Sequence, residues 1–360
     1  MLTYDMINSE SIKINSESIN LENLRAIKGY SRMTTYAVLF KTHFWDSFTS
    51  RQLDRLKRRI GRSQIYVLID ETLQPAPPIG HDKIICVTSA GLSALKLAPI
   101  TTHGSILWYN VDYPHYIAFS KLQPFDYYVT LEYDTIVNID LDELVDRLEA
   151  GGTDFLAFPR RTAASEWPWY SMHLDIYGAD MLTYLSCFSV FSRRALEMLL
   201  ARRQAMSDDF SAEKLSFWPM SEAFLPNEIR NAGMRIATLD CYGNTDAYDW
   251  FPPFEEGELP GLASRTFIHP VLPGKRYVRS LIHHEPSFAN FFRSNSTLRR
   301  KLAGFDPAMV RPMLRSAFIG RLRGWFRRKL ENIGLRPKWY ANALSRSARS
   351  VQGHSTHNCE

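Results

Sequence analysis

Short apolar runs alternate with helix-forming segments along most of the chain. The runs that we interpret as strands are Thr35–Phe40, Ile65–Ile69, Lys83–Val87, Tyr127–Asp134, Asp154–Phe158, Ser186–Phe191 and Arg235–Leu239. Between the first two of them, Leu53, Leu56 and Ile60 recur at helical spacing. Strands that alternate with helices are typical of a mainly parallel sheet with crossover helices. The pattern therefore predicts an α/β fold with a mainly parallel central sheet and flanking helices.

One pair of acidic residues has a structural explanation. Asp140 precedes a helical segment and Glu143 follows three residues later, which is the spacing of a capping box at a helix start. Gly151 and Gly152 then end the segment. We therefore expect Asp140 and Asp142 to stabilise a helix terminus rather than to form a functional site.

Changes in polarity divide the chain into four parts. Residues 1–32 contain a near-duplicate polar segment and are predicted to be a flexible N-terminal arm. Residues 33–300 carry the alternating pattern and form the main domain. Residues 301–345 are predicted to form a basic amphipathic helical tail, and residues 346–360 a disordered C-terminus.

Composition is that of an ordinary globular protein, with 45% hydrophobic and 22% charged residues and a mild net charge of +5. The four cysteines are scattered without a C-x-x-C spacing, which argues against a zinc site and a disulfide framework and fits a reducing compartment. No apolar stretch approaches the roughly 20 residues of a membrane span, and the N-terminus has no signal-like apolar region. These observations predict a cytoplasmic protein.

Charged side chains follow several of the predicted strands. Lys41 and Asp70 come directly after apolar runs, and Glu132 and Asp134 lie at the end of the central one. In open sheets of this kind, ligands gather at the carboxyl ends of the strands. Residues i and i+2 of a strand point to the same face, so Glu132 and Asp134 can aim at one divalent cation, and such a cation can hold a diphosphate.

Together these pieces resemble the GT-A class of nucleotide-sugar-dependent glycosyltransferases, over roughly residues 34–285. In that class a Rossmann-like sheet presents a D-x-D motif at the end of a central strand, and Glu132-Tyr133-Asp134 stands where that motif belongs. The resemblance implies that these acids bind Mn²⁺ or Mg²⁺, which bridges the donor diphosphate. Glu in place of the first Asp departs from the motif, and a transfer without metal stays open as an alternative.

The resemblance also implies roles for four later residues. His269 corresponds to a C-terminal histidine that completes the metal shell, and Lys275 and Arg276 would pair with the phosphates. Glu222, at a predicted helix start, corresponds to the catalytic base of inverting members. Structural alternatives are a core histidine, surface cations and a first-turn acid that the helix dipole favours. Transfer with inversion and with retention both fit the sequence, and only inversion requires the base.

Three further residues are candidates for contacts with the nucleotide. Lys41, Asp70 and Asp112 all follow strand-like runs, and we expect them near the nucleoside or its phosphates. General chemistry asks for such groups, because sugar transfer needs the charge of the leaving diphosphate neutralised and an acceptor hydroxyl deprotonated.

The basic tail suggests a further contact. Residues 311–340 contain nine Lys or Arg and one acid, with apolar residues at helical spacing among them. A helix of this kind can lie on an anionic membrane surface, here the inner face of a membrane. A solvated helix packed on the domain is the alternative, and no base-reading motif supports nucleic-acid binding.

The resemblance thus implies a hexosyltransferase-type glycosyltransferase of polysaccharide biosynthesis. It would move a sugar from a nucleotide-sugar donor, of the UDP-sugar type, to a glycan or lipid-linked acceptor. Two alternatives remain: another nucleotide-binding enzyme such as a nucleotidyltransferase, and a non-catalytic carbohydrate-binding protein of the same fold. Trp167, Trp169 and Trp218 could stack on an acceptor sugar or pack in the core.

Overall fold

The computed structural model describes residues 33–98, 105–215 and 217–332. The predicted arm (1–32) and the predicted disordered C-terminus (346–360) lie outside these residues. Twelve strands are present in the described part: β1 (Tyr36–Thr42), β2 (Gln64–Asp70), β3 (Ile84–Val87), β4 (Tyr127–Glu132), β5 (Ile136–Val137), β6 (Phe155–Pro159), β7 (Tyr184–Ser192), β8 (Ile236–Thr238), β9 (Ala247–Tyr248), β10 (Phe254–Glu255), β11 (Phe267–His269) and β12 (Val271–Leu272).

Helices follow most of these strands. They are α1 (Ser47–Lys57), α2 (Ser89–Ala94), α3 (Tyr113–Lys121), α4 (Leu141–Ala150), α5 (Tyr170–Tyr177), α6 (Arg193–Ser211), α7 (Ser221–Asn231), α8 (Gly274–His284), α9 (Thr297–Leu302) and α10 (Pro307–Asn332). Asp140 caps α4 by accepting hydrogen bonds from the backbone N–H groups of Asp142 and Glu143, and Gly151 ends the helix. The structural interpretation of Asp140 is therefore confirmed.

Seven strands form the central sheet, in the order β3-β2-β1-β4-β7-β6-β8. All described pairings within it are parallel except those of β7 with β4 and β6. The predicted α/β fold with a mainly parallel central sheet is confirmed. Chain order reverses at β1, which pairs with β2 on one side and β4 on the other. The carboxyl ends of β1 and β4 therefore border the crevice where such sheets bind ligands.

Both faces of the sheet are covered. Ala37 and Leu39 of β1 contribute to the hydrophobic layer beneath α2, α3, α6 and α7, whereas Val38 and Phe40 contribute to the layer beneath α1 and α4. A strand buried on both faces has no need of polar residues on either. This explains why the strands are continuous apolar runs in the sequence.

The central strand is predicted to carry both acids at its tip, which is correct for Glu132 and wrong for Asp134. β4 ends at Glu132, a turn closed by a hydrogen bond from the Thr135 N–H to the Glu132 carbonyl follows, and β5 begins at Ile136. β5 leaves the central sheet and joins a three-stranded sheet in the order β5-β11-β9, while β10 and β12 pair separately. Asp134 therefore lies in the turn between two sheets rather than on a strand.

The C-terminal helices form a separate hydrophobic cluster. Tyr277, Val278 and Leu281 of α8 pack with Leu298 of α9 and Val310 of α10. His283 and His284 end α8. Within the described residues, no helix is long and apolar enough to cross a membrane.

Candidate active site

A row of three side chains crosses the carboxyl end of the sheet at the switch point. Lys41 of β1 is in register with Glu132 of β4. On the other side of β4 the antiparallel register pairs Leu131 with Phe188, so the next position sets Glu132 beside Cys187. The Lys41 ammonium lies 3.7 Å from a Glu132 carboxylate oxygen.

Lys41 is a buried cation without a full set of partners. Its side chain is 0% exposed, and its Nζ makes no hydrogen bond with any described residue. Burial lowers the pKa of Lys41, and the Glu132 carboxylate opposes that shift. An ammonium that retains its charge here can still donate to an incoming anion.

Pairing between the two sheets brings His269 to Asp134. Ile136 of β5 is in register with Ile268 of β11, and the Val271 N–H donates to the Asp134 carbonyl at 2.8 Å. His269 Nε2 then lies 3.8 Å from Asp134 Oδ1.

The protonation of this pair follows from its surroundings. His269 Nδ1 lies 2.7 Å from the backbone carbonyl of Asp249 and must donate to it, and burial lowers the pKa of His269, so the neutral ring presents a lone pair on Nε2. Asp134 Oδ1 is buried with no hydrogen-bond partner among the described residues. Burial raises the pKa of Asp134 to about 7, although the charges of Arg276 and Lys41 oppose this. Two acceptor atoms thus face each other, an arrangement that calls for a proton or a cation between them.

These side chains fit a divalent cation. Two bonds of about 2.1 Å span at most about 4.2 Å, so one ion can contact both Asp134 Oδ1 and His269 Nε2. Glu132, Cys187 and His269 each offer a ligand atom, and these atoms lie within 4.8 Å of one another. Burial also raises the pKa of Glu132. A possible metal site therefore exists at the junction of the two sheets.

Of the two predicted phosphate cations, only one reaches this site. The Arg276 guanidinium lies over the rings of Phe44 (4.4 Å) and Phe48 (4.9 Å), bonds to Asp46, and keeps its Nη1 buried without a partner. Lys275, by contrast, is exposed and lines a groove between α8 and α10. Successive helix residues diverge by about 100°, which separates the two side chains.

Glu222 lies in the first turn of α7. Arg160 Nη1 donates to its Oε2 at 3.2 Å, and the side chain is 15% exposed. Burial raises the pKa of Glu222 to about 7, against the opposing effects of Arg160 and of a hydrogen bond from Trp167, and the negative charge of Glu132 raises it further. Glu222 therefore shares its electrostatic environment with the metal-site residues.

A buried ion pair positions the start of α7. Arg203 Nε donates to Asp112 Oδ2 at 2.7 Å, and Ser221 donates to the other oxygen of Asp112. Tyr116 adds a third bond, and both Asp112 and Arg203 are 0% exposed. The structure does not place Asp112 where a nucleoside could reach it, because its carboxylate is enclosed and fully engaged. Its place in the fold is to hold the residue before Glu222.

Asp70 is likewise engaged by its own loops. One oxygen accepts from the backbone and hydroxyl of Thr72, and the other accepts from the hydroxyl of Ser105 and the N–H of Ile106. With four donors, its lone pairs are used by the protein. Asp70 therefore holds the loops around Thr72 and Ser105 at the end of β2. Burial lowers the pKa of His43, and the negative charge of Asp70 opposes that shift.

The aromatic residues separate into core and surface. Trp167 and Trp218 are buried, whereas Trp169 is partly buried and contacts Trp108 edge-to-face at 6.2 Å. Trp108 is 61% exposed, and its neighbour Tyr109 accepts hydrogen bonds from Ser221 through its carbonyl. Sequence reasoning missed Trp108 because the predicted strand-like run around it is a short 3-10 turn.

A comparison with protein-family models finds no match, and neither does a comparison with curated proteins. Among solved structures, the chain is similar to mouse xyloside xylosyltransferase 1 in its apo form, with 11% identity, a TM-score of 0.36, and coverage of 66% of this chain and 97% of that one. It is also similar to the galactosyltransferase LgtC in complex with donor and acceptor sugar analogues, with 12% identity, a TM-score of 0.40, and coverage of 77% and 100%.

A third similar structure is glucosyl-3-phosphoglycerate synthase from Mycobacterium tuberculosis in complex with Mn²⁺, UDP-glucose and phosphoglyceric acid. It shares 14% identity at a TM-score of 0.35, with coverage of 62% of this chain and 74% of that one. These are GT-A-fold glycosyltransferases, the class that the sequence resembles, and the likeness concerns the fold alone. At these TM-scores it carries no argument about residues, so the function proposed below rests on this chain's own geometry.

A substitution at Asp134 tests whether two acceptor atoms face each other between Asp134 and His269. In Asp134→Asn the new amide can donate to His269 Nε2, which satisfies both groups and removes a buried charge. We expect the variant to gain about 1–2 kcal/mol, or about 2–4 °C in melting temperature, in the presence of EDTA at pH 8. The exposed Asp175→Asn is the matched control and should melt like the wild type. A lower melting temperature for Asp134→Asn would show that Asp134 has a stabilising partner in the metal-free protein.

Proposed function

We propose that the chain is a glycosyltransferase that moves a hexose from a nucleotide-sugar donor to the hydroxyl of a glycan or lipid-linked acceptor. The observation that carries the proposal is that two cations, each with a buried nitrogen that makes no hydrogen bond, lie near the carboxylates of Glu132 and Asp134 at the switch point of the sheet. Lys41 and Arg276 each keep a buried donor atom unbonded there. Asp134 and Glu132 lie beside them, and Glu222 approaches from α7.

On the donor side, these groups suit a diphosphate. Asp134, Glu132 and His269 would hold Mn²⁺ or Mg²⁺, and such an ion supplies positive charge to the leaving diphosphate. Arg276 Nη1 can donate to a phosphate oxygen while Asp46 and the two phenyl rings keep the guanidinium in place. Lys41 Nζ, near the end of β1, provides a second hydrogen-bond donor for the phosphates. A UDP-sugar is the donor that we propose.

In the reaction, the acceptor oxygen attacks C1 of the sugar and forms the new glycosidic bond. The bond from C1 to the diphosphate oxygen breaks, and its electron pair leaves with the nucleoside diphosphate. The acceptor hydroxyl proton passes to the Glu222 carboxylate, whose pKa of about 7 suits a base at neutral pH. This role for Glu222 makes the transfer an inverting one.

The acceptor side is supported by aromatic surface near Glu222. The exposed ring of Trp108 and the partly buried ring of Trp169 lie on segments that contact the start of α7. Aromatic rings present an apolar face on which a sugar ring can pack. We therefore place the acceptor between Trp108 and Glu222.

Adjacent residues of α8 provide a matched test of the donor site. The wild type should melt several degrees higher in saturating UDP with Mn²⁺, because a ligand at 100 times its Kd stabilises by about 2.7 kcal/mol. Arg276→Met should abolish this shift, and Lys275→Met should keep it. Melting in UDP, GDP and CMP, with and without Mn²⁺, measures both the nucleotide preference and the metal requirement. Equal shifts in the two variants, or no shift with any nucleotide in the wild type, would contradict the proposal.

A pH profile tests the base. Because burial raises the pKa of Glu222, it is protonated below about pH 7 and ionised above it. Only the ionised form accepts a proton, so kcat/KM should rise with pH through about 7 and then level off. We expect Glu222→Gln to lose about 10²–10⁴-fold and to lose this pH step.

Hydrolysis of the UDP-sugar that stabilises the protein can serve as the assay, with water in the place of the acceptor. The nearby exposed Glu166→Gln is the control, and it should keep both the rate and the profile. Wild-type kcat in Glu222→Gln would exclude Glu222 as the base and favour a retaining transfer.

We further propose that α10 holds the enzyme at the inner, anionic face of a membrane, where lipid-linked acceptors lie. Leu322, Trp325 and Phe326 are exposed on this helix, among Arg321, Arg323, Arg328 and Lys329. Together with α8 and the segment around Phe288, the helix borders a groove of about 1030 Å³. Exposed aromatic rings among cations suit the interface of an anionic bilayer.

Sedimentation with vesicles tests this contact. The full chain should bind vesicles that contain an anionic phospholipid, bind less at high salt, and bind neutral vesicles weakly. Replacing Trp325 and Phe326 together with Ser should weaken binding at least tenfold, because each ring contributes about 1.5–3 kcal/mol when buried. The exposed Leu73→Ser is the control. Undiminished binding of the double variant would rule out this surface.

A further inference from the structure

Cys187 lies in the candidate metal site, although nothing in its sequence context indicates a ligand. It is buried in β7, and its sulfur lies within 4.8 Å of the ligand atoms of Glu132 and His269. The side chains come from β4, β7 and β11, three strands of two sheets. Because the register sets Cys187 beside Glu132, the sulfur faces the same cluster as the carboxylates.

We propose that the Cys187 thiolate is a ligand of the ion that Glu132, Asp134 and His269 hold. The ligand set is then one sulfur, one nitrogen and two carboxylates, and it favours Zn²⁺ or Co²⁺, and Mn²⁺ after them, over Mg²⁺. This inference rests on the metal site of the proposed function. On binding, the sulfur–metal bond forms and the thiol proton leaves to solvent.

The distances allow this ligand set. A bond of about 2.3 Å to sulfur and one of about 2.1 Å to nitrogen span at most about 4.4 Å. A separation of 4.8 Å therefore has to contract by at least about 0.4 Å, and by about 1.2 Å at a tetrahedral angle, which side-chain rotations of Cys187 and Glu132 can supply. The unpartnered Asp134 Oδ1, 3.8 Å from His269 Nε2, is an independent sign that a ligand is missing between these groups.

The chemistry of the set determines the ion. Mg²⁺ requires oxygen ligands and keeps several waters, and it gains little from sulfur or imidazole. Zn²⁺ and Co²⁺ bind thiolate, imidazole and carboxylate together, and they bind a given site more tightly than Mn²⁺ does. The charge environment also favours a dication, because two carboxylates and a thiol converge on a region where the close fixed cations within the described residues are Lys41 and Arg276.

Cobalt provides the test, since Co²⁺ bound to a thiolate absorbs in the near ultraviolet by charge transfer from sulfur. Metal-free full-length protein titrated with Co²⁺ should develop this band with saturating stoichiometry. Cys187→Ser should lose the band and lose at least about tenfold in Co²⁺ and Zn²⁺ affinity, since even outer-shell changes cost 10–100-fold. Cys86→Ser and Cys241→Ser, which alter the other free cysteines of the described residues, should retain it.

The outcomes separate the two proposals. A visible Co²⁺ spectrum and a thermal shift without the sulfur band would overturn the assignment of Cys187 and leave the site of Glu132, Asp134 and His269 standing. Tighter binding of Mg²⁺ than of Zn²⁺ would likewise overturn it. No Co²⁺ binding at all would overturn the metal site itself. A nucleotide shift that persists without metal would still support the glycosyltransferase through Lys41 and Arg276.

Discussion

The chain's departure from the central sheet after Glu132 is the constraint on which the candidate site depends. β4 ends there, and β5 pairs with β11 of the small sheet instead. A single short segment therefore delivers Glu132 to the row across the large sheet and Asp134 to the junction with His269. Tyr133 fixes this turn, because its partly buried ring packs edge-to-face against His43 (5.5 Å) and Phe44 (4.7 Å). The packing of Tyr133, which lies between them in the sequence, thus holds Glu132 and Asp134 in place without a hydrogen bond from one to the other.

Among the described residues, the side chains of Arg203 and Lys41 are fully buried cations, and their surroundings differ. Arg203 donates to Asp112 and, at 3.0 Å, to the carbonyl of Pro219, and it stacks 3.6 Å from the ring centre of Phe224. Lys41 has only a 3.7 Å approach to Glu132. A buried polar group without partners costs free energy, so the unsatisfied Lys41 is a candidate for binding a ligand, whereas the satisfied Arg203 has a structural role. The satisfied pair holds α7, and the unsatisfied cation faces the site that α7 approaches.

The fold could be predicted from the sequence, because a strand that is buried on both faces of the sheet is a continuous apolar run in the sequence. The acids at strand ends were found for the same reason, since polarity begins where the strand leaves the core. Asp112 follows the same rule in the sequence but is structural. Its partner Arg203 is 91 residues away, and no local pattern reports that contact.

The roles of other residues depend on tertiary contacts that cannot be read from the sequence. Lys275 and Arg276 are equivalent by charge, and only the orientation of α8 separates the one that reaches Phe44 and Phe48 from the one that lines a distant groove. Recognising Cys187 as a candidate ligand requires the register of β7 against β4. Its isolated position in the sequence argued against a metal site. The sequence shows where a residue lies along its own strand, but it does not show which residue lies beside it on the neighbouring strand.

The charges of the site also link its two halves. The carboxylate of Glu132 raises the pKa of Glu222, in addition to the larger effect of burial. Anything that neutralises Glu132 therefore lowers the pKa of Glu222 and increases its ionised fraction near neutral pH. In the proposed reaction, the cation and the donor assemble on the side of Glu132, and the acceptor hydroxyl is deprotonated on the side of Glu222. A cation that neutralised Glu132 would thus favour the form of Glu222 that can accept a proton.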